Sequence, residues 1–308
     1  MADYAGDIVD AHHHVWRQAD MPWLSGPMVP RIFGPYEPIR RDYLIDEYVA
    51  DARSAGIGAS VYVQPNWPLD RVVDEVRWIA DLHERTGWPM AMVACADLFA
   101  PEAVEVMRAQ QAISPLVVGV RLQLHWHERP EFRFAEGPDR MKDPVFNDNI
   151  AALRDLGWLF ELQVFAGQMP DAAAFVADHP EVQFVLVHAG MLVDRTDADE
   201  VAQWRAGLRS LAAHSHVAVK LTGQGTFVHR VDADLNRFVA DEVLGEFGAD
   251  RAMFGTNLPV EKLWTTAAEL TDAWRQALRH RTADEQADVF SRTARRVYRL
   301  DDPATHER

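Results

Sequence analysis

Eight short apolar runs, each followed by an amphipathic segment, recur along the whole chain, and this alternation is the strongest constraint on its fold. The runs are 8–16, 59–64, 90–97, 117–125, 158–165, 184–188, 217–221 and 252–256. Their length and β-branched content suit strands covered on both faces, as in a parallel sheet. Helical patterns lie between them, near 43–55, 70–86, 101–112, 146–156, 171–178, 198–214, 233–247 and 264–280. Gly56, Gly87, Pro89, Gly157, Pro180 and Gly248 punctuate the joins. Eight strand-then-helix units without a break in composition predict an α/β fold: a single (β/α)8 TIM barrel over residues 1–308, with its active site at the C-terminal ends of the strands.

Two stretches fall outside the repeat, 17–42 and 126–145, both rich in Pro and aromatic residues. They follow strands one and four, so they are predicted to be loops that wall the site. They also offer a surface for a homo-oligomer contact. The net charge of −16 (31 basic and 47 acidic side chains) opposes binding to nucleic acid or to an anionic membrane. No apolar run approaches the length of about 18 residues that a membrane span needs. Cys95 is the one cysteine, which excludes an intrachain disulfide and a thiolate zinc site. The opening Met1–Asp7 lacks the basic and apolar regions of a secretory signal, so the expected setting is the cytoplasm.

In a barrel, polar residues near strand ends converge. Strand one holds His12-His13-His14; alternation places His12 and His14 on one face, about 7 Å apart, and His13 on the other. Two such imidazoles can share a metal ion or contact one substrate, since burying both without partners is costly. Gln64, Asn66 and Trp67 follow strand two. Arg121, Gln123 and His125 share a face of strand four; Glu161 and Gln163 lie on strand five. His188 ends strand six, Lys220 and Thr222 lie on strand seven, and Asn257 ends strand eight with Glu261 beyond it. A buried Arg121 needs an anion, either an acidic neighbour or a substrate carboxylate. Glu161 is a ligand or base, or else the partner of Arg121 or Lys220. Trp16, Trp23, Trp67 and Trp126 stand just past strand ends and pack loops or wall an apolar pocket. Gln64, Trp67, His125 and Gln163 are expected to contact a small-molecule substrate.

Four motifs resemble the amidohydrolase superfamily over nearly the whole chain, in the branch of 2-pyrone-4,6-dicarboxylate lactonase and L-fuconolactonase. They are Asp10-Ala11-His12-His13-His14-Val15-Trp16 followed by Pro22-Trp23-Leu24; Val118-Gly119-Val120-Arg121; Val187-His188-Ala189-Gly190; and Phe254-Gly255-Thr256-Asn257-Leu258-Pro259-Val260. The resemblance implies a distorted barrel that opens lactones or related cyclic esters with water. It implies that His12, His14 and His188 hold one divalent metal ion, zinc above others, or touch substrate directly where no metal is used. It also implies that Arg121 grips a substrate carboxylate or the carbonyl oxygen. The superfamily's two-metal arrangement is not expected, because its bridging lysine on strand four is replaced by Arg121.

The departure is at strand eight, where the usual Asp is Asn257. General-base help is worth roughly 10²–10⁴ in rate, and Asn cannot take up a proton at neutral pH. Three accounts stand: His188, Glu161 or Glu261 takes the proton; a metal acidifies its bound water; or the site binds without reacting. The function expected is hydrolysis of a small lactone. The alternatives are metal-dependent non-oxidative decarboxylation, which also uses the strand-eight Asp in the related branch, and a non-catalytic binding protein.

Overall fold

The computed structural model describes residues 4–301. Eight parallel strands run in the order β1 to β8: Ile8–His13, Ile57–Val63, Ala91–Ala94, Val117–Arg121, Leu159–Leu162, Phe184–Leu186, Val217–Leu221 and Ala252–Phe254. Eight principal helices return the chain, α1 to α8: Ile45–Ser54, Val72–Thr86, Ala103–Ile113, Pro144–Ala151, Met169–Ala177, Ala198–Ala212, Ala233–Phe247 and Ala267–Leu278. This is the (β/α)8 barrel that the alternation predicts. Several strands stop short of their apolar runs: β4 ends at Arg121 and β6 at Leu186, because the next residues leave the ladder for the basin. Beyond α8, short helices at Ala283–Ala287 and Thr293–Val297 flank a π turn at Asp288–Arg292. Among the described residues no helix is long and apolar enough to cross a membrane.

Two apolar layers hold the barrel. One lies between sheet and helices. The other fills the interior with small and branched side chains, among them Val9, Ala11, Val61, Val93, Val185, Ala218 and Met253, and includes Tyr298 and Leu300. The C-terminal segment thus plugs the end of the barrel opposite the site. There Tyr298 donates its hydroxyl to Glu161 at 2.8 Å, and the Lys220 ammonium reaches the same carboxylate at 2.6 Å. Lys220 and Glu161 are both fully buried.

The seam between β1 and β8 carries no ladder. It is closed by an isolated bridge from His13 to Leu258 and by two backbone bonds, Asn257 N–H to His12 O and His14 N–H to Leu258 O, each 2.7 Å. The Asp10 carboxylate supplies the rest, accepting from Thr256 N–H (2.8 Å), Thr256 hydroxyl (2.6 Å) and Tyr48 hydroxyl (3.0 Å). Gly255 makes the approach feasible: a Cβ there would stand 2.9 Å from the Cβ of His12.

One core carboxyl sets a pH limit. Glu75 on α2 is fully buried, accepts from the Tyr62 hydroxyl at 2.8 Å, and is pushed by burial to about 8. The folded chain keeps this proton where the unfolded chain has released it. Its contribution to stability is therefore complete below the ordinary glutamate pKa and is lost as pH rises towards 8, by about 1.4 kcal/mol per pH unit. Glu75→Gln, a mimic of the protonated form, should leave the melting temperature near pH 5 almost unchanged and raise it at pH 9. Equal shifts at both pH values would show that Glu75 is not the titrating group.

Candidate active site

The β1 histidines reach the basin through an irregularity rather than simple alternation. Val9 and Ala11 face the interior, so an unbroken strand would send His13 inward. The pairing with β2 shifts between Asp10 and His13, and the Asp10 side chain accepts the His12 N–H at 3.0 Å in place of a ladder bond. A shift of this kind re-aims side chains. His14 therefore lines the basin and the fully buried His12 packs against it, while His13 stacks flat on Tyr48 at 3.6 Å. The His12 ring lies 5.1 Å from His14 and 4.9 Å from His188, centre to centre. His188 sits just past β6 on left-handed backbone (φ 54°), with Nδ1 2.6 Å from the Thr222 hydroxyl. Gly223 leaves room for that ring: a Cβ there would stand 2.6 Å from His188 Nδ1.

All three imidazoles are held below their ordinary pKa. Burial is the main cause; after it come Lys220 for His12 and Arg121 for both His188 and His14, the last falling to about 3. They are neutral at pH 7, so each carries one proton whose position matters. His14 Nδ1 lies 2.6 Å from the Val63 carbonyl, which fixes its proton there and leaves the Nε2 lone pair free of a proton.

Arg121 ends β4, 2% exposed. Its guanidinium donates to the Gln64 carbonyl oxygen and to Gln163 Oε1 (3.3 Å), while Nε has no partner. Gln64 in turn donates to the Arg121 carbonyl at 3.1 Å, so the two strand ends brace each other. Among the described residues Arg121 forms no ion pair. Its β5 neighbour Glu161 is taken by Lys220 and Tyr298 instead. Glu161 is thus placed in the barrel interior as the partner of Lys220, and it is not among the residues lining the basin.

Asn257 follows β8 on left-handed backbone (φ 58°) and is 4% exposed. Its amide favours the protonated form of His14 and the ionised form of Glu261, in each case as a smaller effect than burial. Glu261, fully buried, accepts from Trp264 Nε1 at 2.7 Å and is raised by burial to about 8. At neutral pH it is a carboxylic acid, not a base.

The basin is lined by His14, Arg121, Gln123, Gln163, His188 and Asn257, with Trp16, Trp23 and Val260 as apolar walls. Of the other expected contacts, Gln64 braces Arg121, Trp67 packs on Trp78 (5.9 Å), and His125 packs between Phe134 and Phe165, burial taking it down to about 3. Trp126 is drawn aside by Gln168 and Arg133. Arg31, Asn66 and Thr226 also line the basin. Arg31 carries no motif; it is one of four arginines in the 17–42 loop, and nothing in the sequence sets it apart from Arg17, Arg40 and Arg41.

The imidazole set does not fit a metal ion well. Lys220 Nζ is 3.2 Å from His12 Nδ1. Burial lowers Lys220 to about 8, so at pH 7 it is still an ammonium, which only donates. His12 Nδ1 therefore accepts, and its proton sits on Nε2, a buried ring nitrogen without a hydrogen-bond partner among the described residues. An N–H is not a ligand. The strand-eight carboxylate is absent, and the Arg121 cation stands nearby. Among the described residues no group of three or more His, Cys, Asp or Glu side chains is arranged to hold a metal.

Comparison with known proteins matches the amidohydrolase family over residues 9–300. The L-fucono-1,5-lactonase of Burkholderia multivorans is 31% identical, covering 96% of this chain and 97% of that protein. An uncharacterised Sinorhizobium fredii protein, y4mH, is 28% identical over 97% of this chain and all of its own length. A crystal structure of a Burkholderia multivorans amidohydrolase with bound zinc superposes with a TM-score of 0.80 at 29% identity, over 96% of this chain and all of that one.

Proposed function

The chain belongs to the amidohydrolase family, and from that premise we propose that it is a hydrolase opening a small, carboxylate-bearing lactone or related cyclic ester by attack of water, without a metal ion. The observation that carries this reading is Arg121, a buried guanidinium with no carboxylate partner among the described residues, beside three neutral imidazoles. A lone buried cation is costly. A substrate anion offsets that cost, and planar two-pronged pairing selects a carboxylate. The 31% identical relative is a lactonase by name, which supports the reaction class.

Each group then has a task. Arg121 holds the substrate carboxylate. His12 presents Nε2–H to the ester carbonyl oxygen and stabilises the oxyanion that forms. His188 Nε2 accepts a proton from water as its oxygen adds to the carbonyl carbon. When the ring C–O bond breaks, that proton passes to the departing oxygen, so lactone and water give one hydroxy acid. Asn257 orients the water or the ester by hydrogen bonding. Burial and, after it, Arg121 depress His188 and His14 in the free protein; a bound carboxylate offsets the Arg121 part of that depression when substrate arrives.

Acid release from a panel of lactones, with and without chelator, tests this. Turnover that survives chelation supports the reading; turnover only with added zinc overturns its metal-free part, and no turnover on any lactone overturns the reaction. A protein that only binds would show thermal stabilisation by lactones without acid release. His188→Asn should lower kcat by about 10²–10⁴ with little change in KM; a loss confined to KM would assign His188 to binding alone.

A further inference from the structure

A second, larger cavity of about 910 Å³ opens outside the catalytic basin and shares Arg31 and Ile32 with it. Its walls come from four loops at the strand C-termini. Met28 to Tyr36 form one side; Phe132, Val193 and Phe227 form the other. Those three side chains belong to a small aromatic cluster with Phe165 and Met191, separate from both core layers, in which Phe132 and Phe227 rings lie 5.5 Å apart. Met28 and Val29 at the rim are 45% and 46% exposed. Polar groups on this surface are mostly used: Arg129 pairs with Glu131 and stacks on Phe132 at 4.0 Å. The inner basin is cramped by comparison, with about 60 Å³ of free space. Its lining is the more polar of the two, and the outer chamber is the more apolar.

The geometry points to a two-part substrate: a compact cyclic ester seated in the inner basin, carrying an alkyl or aryl substituent that lies in the outer chamber. This deepens the lactone reading and rests on it for the reacting head, while the chamber's own chemistry supplies the tail. The volume is within the roughly 300–1,000 Å³ range of small-molecule sites. Continuity through Arg31 and Ile32 identifies the occupant, because a tail leaving the basin between these residues enters the chamber directly. Arg31 stacks on Trp23 at 5.1 Å and forms no ion pair among the described residues. It can contact an oxygen at the junction of head and tail while Ile32 packs on the first methylenes. A sugar lactone, polar all round, would leave the aromatic cluster wet.

Two measurements test the subsite. The first is kcat/KM for carboxylated δ-lactones with a second ring substituent running from methyl to octyl. The second is calorimetric binding of hexanoate, octanoate and decanoate, whose carboxylate has Arg121 to pair with and which cannot be hydrolysed. Each added methylene should strengthen binding by about threefold to fourfold until the chamber fills. Val193→Asp should flatten that dependence in both series. If no lactone turns over yet the fatty-acid increments appear, the reaction assignment fails and the subsite stands. Lactone hydrolysis without any dependence on tail length overturns the subsite and leaves the reaction standing. Concentration-dependent dimerisation that abolishes the increments also overturns it, since a second copy would then cover the chamber.

Discussion

Arg121→Met is expected to lower kcat/KM on a carboxylated lactone by 10³-fold or more while leaving the fold as stable as before, or more so. The two expectations come from the same feature. The guanidinium is buried and forms no ion pair among the described residues, so its removal relieves a desolvation cost. What is lost is the substrate's anchor, a buried charge-assisted pair whose breaking commonly costs about 3–5 kcal/mol. Arg121→Lys keeps the charge but loses the planar fork, and should raise KM strongly. Thermal melts and steady-state kinetics on the same preparations decide the matter. A large fall in melting temperature with an unchanged KM would make Arg121 a structural residue and remove it from substrate binding.

Lys220→Met carries the second large effect, first on stability. It leaves Glu161 charged, fully buried and held only by Tyr298. Breaking a buried pair in this way typically costs about 3–5 kcal/mol. The double variant with Glu161→Gln should recover most of that loss, because no charge then remains in the interior. The same substitution also changes the chemistry of His12. Without an ammonium donating to Nδ1, that nitrogen can keep the proton and turn it towards Glu161 Oε2, which lies 3.9 Å away and has no hydrogen-bond partner. The Nε2 lone pair then faces His14 and His188. Nitrogen-15 NMR of labelled histidine should show the His12 proton on Nε2 in the parent and on Nδ1 in the variant. Zinc titration should show tighter binding in Lys220→Met than in the parent. Weaker zinc binding in the variant, or a parent His12 already protonated on Nδ1, would defeat the assignment.

The barrel was legible because its cause is periodic. Eight apolar runs separated by amphipathic segments leave little room for another architecture. Strand ends were less legible. The apolar patterns continue past Arg121 and Leu186, but there the backbone trades ladder bonds for side-chain bonds, which hydrophobicity does not record. The relation of His12 to His14 came from alternation, yet their phase did not. Val9 and Ala11 point to the opposite assignment, and only the shift held by Asp10 brings the pair inward. Glu161 and Arg121 are neighbours on paired strands, and the natural guess joins them. The actual partner of Glu161 is set by Lys220 and by Tyr298, a residue 137 positions away in the chain. Arg31 was invisible because one arginine among four in a proline-rich loop has no pattern to betray it.

The unladdered seam has a consequence for the order of assembly during synthesis. His12 and His14 lie near one end of this chain, and Asn257, the bridge at Leu258 and the Thr256 bonds to Asp10 lie near the other. As a ribosome releases the chain, the histidines emerge well before the eighth strand but acquire their orientation only when that strand docks. Until then Asp10, His12 and Arg121 are polar groups in an open sheet, reachable by water. A nascent chain halted before residue 252 should therefore be devoid of hydrolysis, because the catalytic basin and the last closure of the barrel are the same event.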